Sequence, residues 1–300
     1  MHSKRRIRAA IATLVGTVFL LVSVAAWYVG RDDVYEDVVI EQEEVMEEEQ
    51  VVVPRKQVIG TSVEGRPIEL YTYDTGTTTL LFVGGIHGGY EWNSVLLAYE
   101  FIDHLEAGLM RVPENIRVQV IPVLNPDGLY SVVRSGGRFA VADIPPNDAH
   151  TTGQGRMNAN NVDLNRNFDC KWQPTSSWRG QSVSGGTEPF SEPEARILRD
   201  LVLRDPPAAV VFWHSRANAV YASECEDGVL PKTLEIMHAY ARASGYMPIA
   251  SFDAYPISGD AEGWLARIGI PAVTVELDTR TDSEWVRNRA GVEAMFDLFK

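Results

Sequence analysis

Short apolar runs alternate with longer, helically spaced segments from residue 68 to the end of this 300-residue chain. Residues 68–73, 79–83, 117–123, 208–213, 247–252 and 272–277 read as strands, by alternation or by short apolar runs rich in β-branched side chains. Residues 91–109, 191–204, 230–244, 261–268 and 284–299 read as helices set among them. Strands bury their apolar side chains in a sheet, and interleaved helices must cover its faces. The alternation therefore predicts an α/β sandwich: a mixed, mainly parallel central sheet flanked by helices. A hydrophobic fraction of 45% is enough for one large core. Asn125-Pro126-Asp127-Gly128 reads as a turn, and residues 131–160 as a long loop without period. Ser191 reads as a helix N-cap, with Pro193 in the first turn and Glu194 three residues on.

The first 55 residues differ in kind. Lys4, Arg5, Arg6 and Arg8 precede an uncharged stretch over residues 9–30, closed by Trp27 and Tyr28. A helix of that length is roughly 33 Å long and spans a hydrocarbon core. Basic residues before it and aromatic residues at its end predict a cytoplasmic N-terminus and an outward-facing domain. Residues 1–8 thus read as a basic cytoplasmic tail and 9–30 as a transmembrane anchor or uncleaved signal. Residues 31–55 read as an acidic linker holding a domain over 56–300 off the bilayer. The competing reading is a cleaved signal peptide, with Ser23-Val24-Ala25 as its small-residue site and a secreted domain. A net charge of −14 argues against a nucleic-acid partner held through phosphates. Cys170 and Cys225 could form one disulfide or remain two buried thiols.

Three segments carry candidate chemistry. They are Gly85-Ile86-His87-Gly88-Gly89-Tyr90-Glu91-Trp92, Val162-Asp163-Leu164-Asn165-Arg166-Asn167-Phe168 and Phe212-Trp213-His214-Ser215. His87 and His214 each follow a buried strand, which puts both at one sheet edge, where ligands gather in open α/β folds. Two histidines and a carboxylate match a catalytic zinc, which keeps one position open for water. The guanidinium fork of Arg166 beside Asn165 can grip a carboxylate. Glu276 is an acid inside an otherwise apolar strand, costly to bury without a role.

Together these segments resemble the zinc metallocarboxypeptidases, the M14 family, over nearly the whole chain after residue 55. The short motif spacing resembles bacterial members such as the murein peptide amidases. The family's first motif has two residues between His and Glu, whereas His87 and Glu91 have three. Gly88 and Gly89 could absorb the insertion. The resemblance implies a carboxypeptidase-like three-layer sandwich with one Zn2+ on His87, Glu91 and His214. It implies Glu276 as general base and then acid. It also implies that Asn165, Arg166 and a mobile Tyr255 hold the substrate's terminal carboxylate. Arg156 would steady the oxyanion, with Arg134 and Arg138 as rivals. Asp260 and Glu262 fall in the segment that lines the pocket for the terminal side chain, and would suit a cationic residue. The implied activity is a membrane-anchored, zinc-dependent hydrolysis of an amide bond next to a free C-terminal carboxylate. Its substrate would be a peptide or a peptidoglycan stem peptide. Two other readings fit the same residues: a non-catalytic tethered carboxylate binder, and a deacylase of acylated amino acids.

Overall fold

The computed structural model describes residues 56–146, 153–252 and 256–300. The basic tail, the apolar stretch and the acidic linker lie outside the described residues, as does Tyr255. Among the described residues no helix is long and apolar enough to cross a membrane.

Eight strands form one sheet. Read from edge to edge they are β1 (Lys56–Thr61), β2 (Pro67–Tyr73), β4 (Ile116–Ile121), β3 (Thr78–Val83), β7 (Ala209–Ser215), β12 (Ala272–Leu277), β8 (Ala219–Ala222) and β11 (Met247–Ile249). The central strands β4, β3, β7 and β12 run parallel. The β1–β2, β2–β4 and β12–β8 pairings are antiparallel, which makes the sheet mixed as expected. Two short hairpins lie outside it: β5 (Thr175–Trp178) with β6 (Gln181–Ser184), and β9 (Glu224–Cys225) with β10 (Gly228–Val229).

Strand alternation divides the core between two layers of helices. Leu80, Phe82, Val211, Trp213, Val273 and Val275 join one cluster with residues of α1 (Trp92–Glu106), α2 (Pro126–Val133), α4 (Pro231–Ser244) and α6 (Trp285–Phe299). Leu81, Val83, Val210, Phe212 and Ala272 join a second cluster with α3 (Pro193–Arg204) and α5 (Ala261–Arg267). Strands buried on both faces read as continuous apolar runs, which is why they were legible.

Several local expectations are corrected. Asn125-Pro126-Asp127-Gly128 is not a free turn but the start of α2, where Asn125 Oδ1 accepts the Gly128 N–H at 2.8 Å. A short polar side chain and a proline suit a helix start for the reason they suit a turn: they satisfy or remove free N–H groups. The loop expected over 131–160 therefore begins only after Val133. Ser191 does not cap α3. Glu192 occupies that place, while the Ser191 hydroxyl accepts from Asn167 Nδ2 at 2.9 Å. The strand expected to stop at 213 continues to Ser215, because β12 pairs with it through Leu277. The strand expected over 247–252 ends at Ile249. Edge strand β1 was missed because it is largely exposed and has no apolar pattern. Cys170 and Cys225 form a disulfide, with their Cα atoms 6.0 Å apart.

Candidate active site

The site begins with strand register. His214 on β7 shares a face with Val210 and Phe212, and Glu276 on β12 shares that face with Ala272. Parallel pairing sets Glu276 opposite His214, so the two side chains stand together at the carboxyl ends of neighbouring strands. His87 follows β3, and the chain then makes a 3-10 turn over Gly88–Glu91. Gly88 has φ +45°, and a Cβ there would lie 2.7 Å from the Leu129 backbone nitrogen. A Cβ on Gly89 would lie 2.5 Å from Val132 Cγ2. Helix α2 is packed so closely onto this turn that only glycine fits. The turn absorbs the residue by which the motif exceeds its family spacing, and leaves His87 Nδ1 3.1 Å from Glu91 Oε2.

Three buried donor atoms converge. His214 Nδ1 is 3.2 Å from His87 Nδ1 and 3.0 Å from Glu91 Oε2. Ligand atoms at about 2.0–2.1 Å from a tetrahedral zinc would stand roughly 3.3–3.4 Å apart. The cluster thus matches a zinc site to within a few tenths of an ångström, and it could hold a metal ion. A carboxylate stands behind each imidazole: Asp163 Oδ1 is 3.4 Å from His87 Nε2, and Glu262 Oε1 is 3.2 Å from His214 Nε2. Such a partner favours the proton on Nε2 and leaves the Nδ1 lone pair aimed at the centre. Burial opposes charge on His214, but Glu91 and Glu262 outweigh it and raise the group well above its ordinary value. Burial likewise opposes ionisation of Glu91 and of Asp163. The two imidazoles nevertheless hold Glu91 well below the usual carboxylate range, and Arg156 and His87 do the same for Asp163.

Asp163 belongs to the quoted motif, yet sequence reasoning assigned it no role. Its apolar neighbours Val162 and Leu164 were the available signal of a buried acid. Glu262, read as a pocket acid for a cationic side chain, is only 3% exposed. Its carboxylate accepts from Thr274 Oγ1 at 2.9 Å and backs His214. Asp260 lines the cleft while accepting the Gly263 N–H at 2.7 Å at the start of α5. Burial, then the charge of Glu262, push Asp260 up to about 6.

The cluster opens onto a cleft of about 1170 Å³ that also exposes Arg156, Asn165, Arg166 and Glu276. Arg166 is buried; its Nη1 donates to the Asn165 carbonyl at 2.6 Å, and its Nε has no partner among the described residues. Asn165 Oδ1 accepts the Ala261 N–H at 2.9 Å, which leaves its amide as a donor. Arg156 binds Asp163 Oδ2 through Nε at 2.9 Å and Nη2 at 2.8 Å, and its Nη1 lies 3.9 Å from Glu91 Oε1. Its rivals Arg134 and Arg138 line a different groove, with Tyr99 and Tyr130. Glu276 Oε2 is buried and unpartnered among the described residues. Burial, then the neighbouring Glu91, push Glu276 up to about 7, suited to proton transfer at neutral pH.

A cluster that could hold a metal ion, with a buried, unpartnered carboxylate beside it and a guanidinium in the same cleft, has the layout of a metallohydrolase. The chain belongs to the zinc carboxypeptidase family, whose characteristic pattern matches residues 43–293. It is 26% identical over 244 residues to gamma-D-glutamyl-L-diamino acid endopeptidase 1 of Lysinibacillus sphaericus, covering 75% of this chain and 60% of that protein. It is 30% identical over 139 residues to murein peptide amidase A of Escherichia coli K12, covering 43% of this chain and 54% of the relative. These alignments thus span between 54% and 60% of the relatives' length. In fold it is similar to the murein-tripeptide amidase of Escherichia coli O157, with TM-score 0.59 and 24% identity over 82% of this chain and 92% of the other.

Proposed function

We propose that this chain is a zinc-dependent hydrolase of an amide bond beside a free carboxylate, held at a membrane with its catalytic domain outside the cytoplasm. The observation that carries the catalytic reading is the convergence of His87 Nδ1, His214 Nδ1 and Glu91 Oε2 beside the unpartnered carboxylate of Glu276. When bound, zinc supplies a Lewis acid that polarises a carbonyl and makes water more acidic. The rest of the work falls to the chain's own groups. Arg166 and Asn165 receive the terminal carboxylate through the donors left free. Glu276 accepts a proton from the attacking water and returns it to the leaving amine. Arg156, steadied by Asp163, presents Nη1 towards Glu91, where negative charge builds on the scissile carbonyl oxygen.

Asp260 supports a substrate with a second cationic group, such as a diamino acid on the amine side of the scissile bond. The names of the relatives point the same way, to amide bonds of peptidoglycan stem peptides. An ordinary peptide with a C-terminal lysine would meet the same residues. The test is to incubate the zinc-loaded chain with an N-acyl-γ-D-glutamyl-L-diamino acid and with an N-acyl peptide ending in lysine. Hydrolysis of the first, reduced about a thousandfold by Glu276→Gln, is expected. A folded, zinc-loaded chain that binds both and cleaves neither would be a tethered carboxylate binder.

The membrane reading rests on the uncharged residues 9–30, with the Cys170–Cys225 disulfide supporting an oxidising compartment. Recovery of the full chain in the membrane fraction after high-salt washing is expected. A soluble chain beginning at Ala26 would replace the anchor with a cleaved signal.

A further inference from the structure

Arg280 has no task in the chemistry above, yet it is built into the cleft. It lies just beyond β12, three residues after the strand's last residue, Leu277. Its guanidinium stands 4.5 Å over the ring of Tyr90, the residue between the glycines and Glu91. The same ring lies 5.7 Å from the guanidinium of Arg156 and meets Trp178 edge-on. Arg280 Nη1 is buried and has no hydrogen-bond partner among the described residues; its charge is felt by the nearby Glu276 carboxylate, but no hydrogen bond joins the two. The loop that carries it is tied down on both sides. Asn93 Nδ2 donates to the Thr279 carbonyl at 3.0 Å and the Asp282 carbonyl at 3.1 Å. Asn93 is itself held by the Ser215 hydroxyl at 2.9 Å, next to His214. A half-buried guanidinium whose inner donor is closed off from water and left empty is costly to keep unless an anion from outside completes it.

Its position says which part of a substrate that anion belongs to. Arg166 lies among Asn165, Asp260 and Ala261, on the side that takes the leaving amine's carboxylate. Arg280 instead shares the Tyr90 ring with Arg156, on the side of the scissile carbonyl. We infer that Arg280, stacked on Tyr90, is a second carboxylate subsite that reads a free carboxylate on the acyl side of the scissile amide. An amide made through the side-chain carboxyl of glutamate carries one, three carbons from the reacting carbonyl. An ordinary α-peptide carries none there unless its side chain is acidic. Two guanidinia, one for each side of the bond, make the chain selective for substrates with two carboxylates. This assignment rests on the hydrolase reading, and deepens it by naming what distinguishes the acyl group.

The test compares two ligands that differ only in that charge: N-acetyl-γ-D-glutamyl-L-lysine and its α-carboxamide. Their affinities are measured by calorimetry on the zinc-loaded full chain carrying Glu276→Gln, which separates binding from turnover. The free carboxylate is expected to bind about 10- to 100-fold more tightly. Adding Arg280→Gln removes that preference and leaves the affinity for the carboxamide unchanged, while Arg280→Lys retains part of it. Equal affinity for the two ligands, or a preference that survives Arg280→Gln, overturns the assignment. Wild-type turnover is scored separately. A preference without turnover of this ligand or of the N-acyl peptide ending in lysine sinks the hydrolase reading and keeps the Arg280 subsite, whereas turnover without preference does the reverse. Binding of neither ligand overturns both.

Discussion

At the scale of single residues, the site is a set of carboxylates given different work by their neighbours. Glu91 faces two imidazoles, Asp163 and Glu262 stand behind those rings, and at Glu276 burial and the like charge of Glu91 outweigh the nearby His214, Arg280 and Arg156. Asp163→Asn and Glu262→Gln should each weaken zinc binding by about 10- to 100-fold, because an amide cannot hold the ring proton in the same way. Competition with a fluorescent chelator measures this directly, and unchanged affinity in both variants would remove the orienting role. The value of about 7 for Glu276 gives a pH dependence with a definite sign. A base must be ionised, so activity is lost as pH falls through its pKa. Zinc's positive charge offsets that of Glu91 and draws the limb below 7. The kcat/KM profile should therefore show an acidic limb below neutrality. In the zinc-free chain the raised pKa means that the folded state holds a proton which the unfolded state releases from about pH 4.5 upward. Its contribution to stability therefore falls as pH rises from 4.5 to 7. Denaturant titrations of wild type and Glu276→Gln should diverge over that interval, the variant being favoured at the higher pH.

At the scale of elements, the metal cluster depends on one helix packed against one turn. Helix α2 approaches the Gly88–Glu91 turn so closely that side chains on the two glycines would collide with it. Gly88→Ala combines that collision with a positive φ, and should cost about 3 kcal/mol. Because the turn carries Glu91 and follows His87, zinc should be lost at milder conditions than the global fold. Zinc release and circular dichroism followed in one urea titration would separate the two events. Coincident transitions at the wild-type midpoint would show that the turn tolerates a Cβ.

For the whole molecule, the disulfide ties the segment after Arg166 to the β9–β10 hairpin. Phe168 and Cys170 also bond the backbone of Gly259, which precedes Asp260. Closing a loop of this separation, 55 residues, restricts the unfolded chain by about 4 kcal/mol in the chain-entropy account. Reduction should lower stability by up to that amount. It should also raise KM more than it lowers kcat, since the carboxylate grip loosens while the zinc centre stays on the sheet. An equal loss in both parameters would instead place the disulfide's effect on the metal centre.

The strand and helix alternation determined the sandwich, because strands buried on both faces need apolar side chains at every position. The motifs determined the candidates His87, Glu91, His214, Arg166 and Glu276, because few residue types can bind a metal, grip a carboxylate or serve as a base. What sequence could not supply was the company each residue keeps. Glu262 looked like a pocket acid and backs His214; Asp163 looked like motif filler and ties His87 to Arg156. Motif spacing favoured Arg156 over its rivals Arg134 and Arg138, but only the fold set Arg156 beside the cluster and the other two in a different groove. Arg280 carried no local signal at all. Burial, register and the meeting of segments more than a hundred residues apart are properties of the packed chain, and only the tertiary structure decided them.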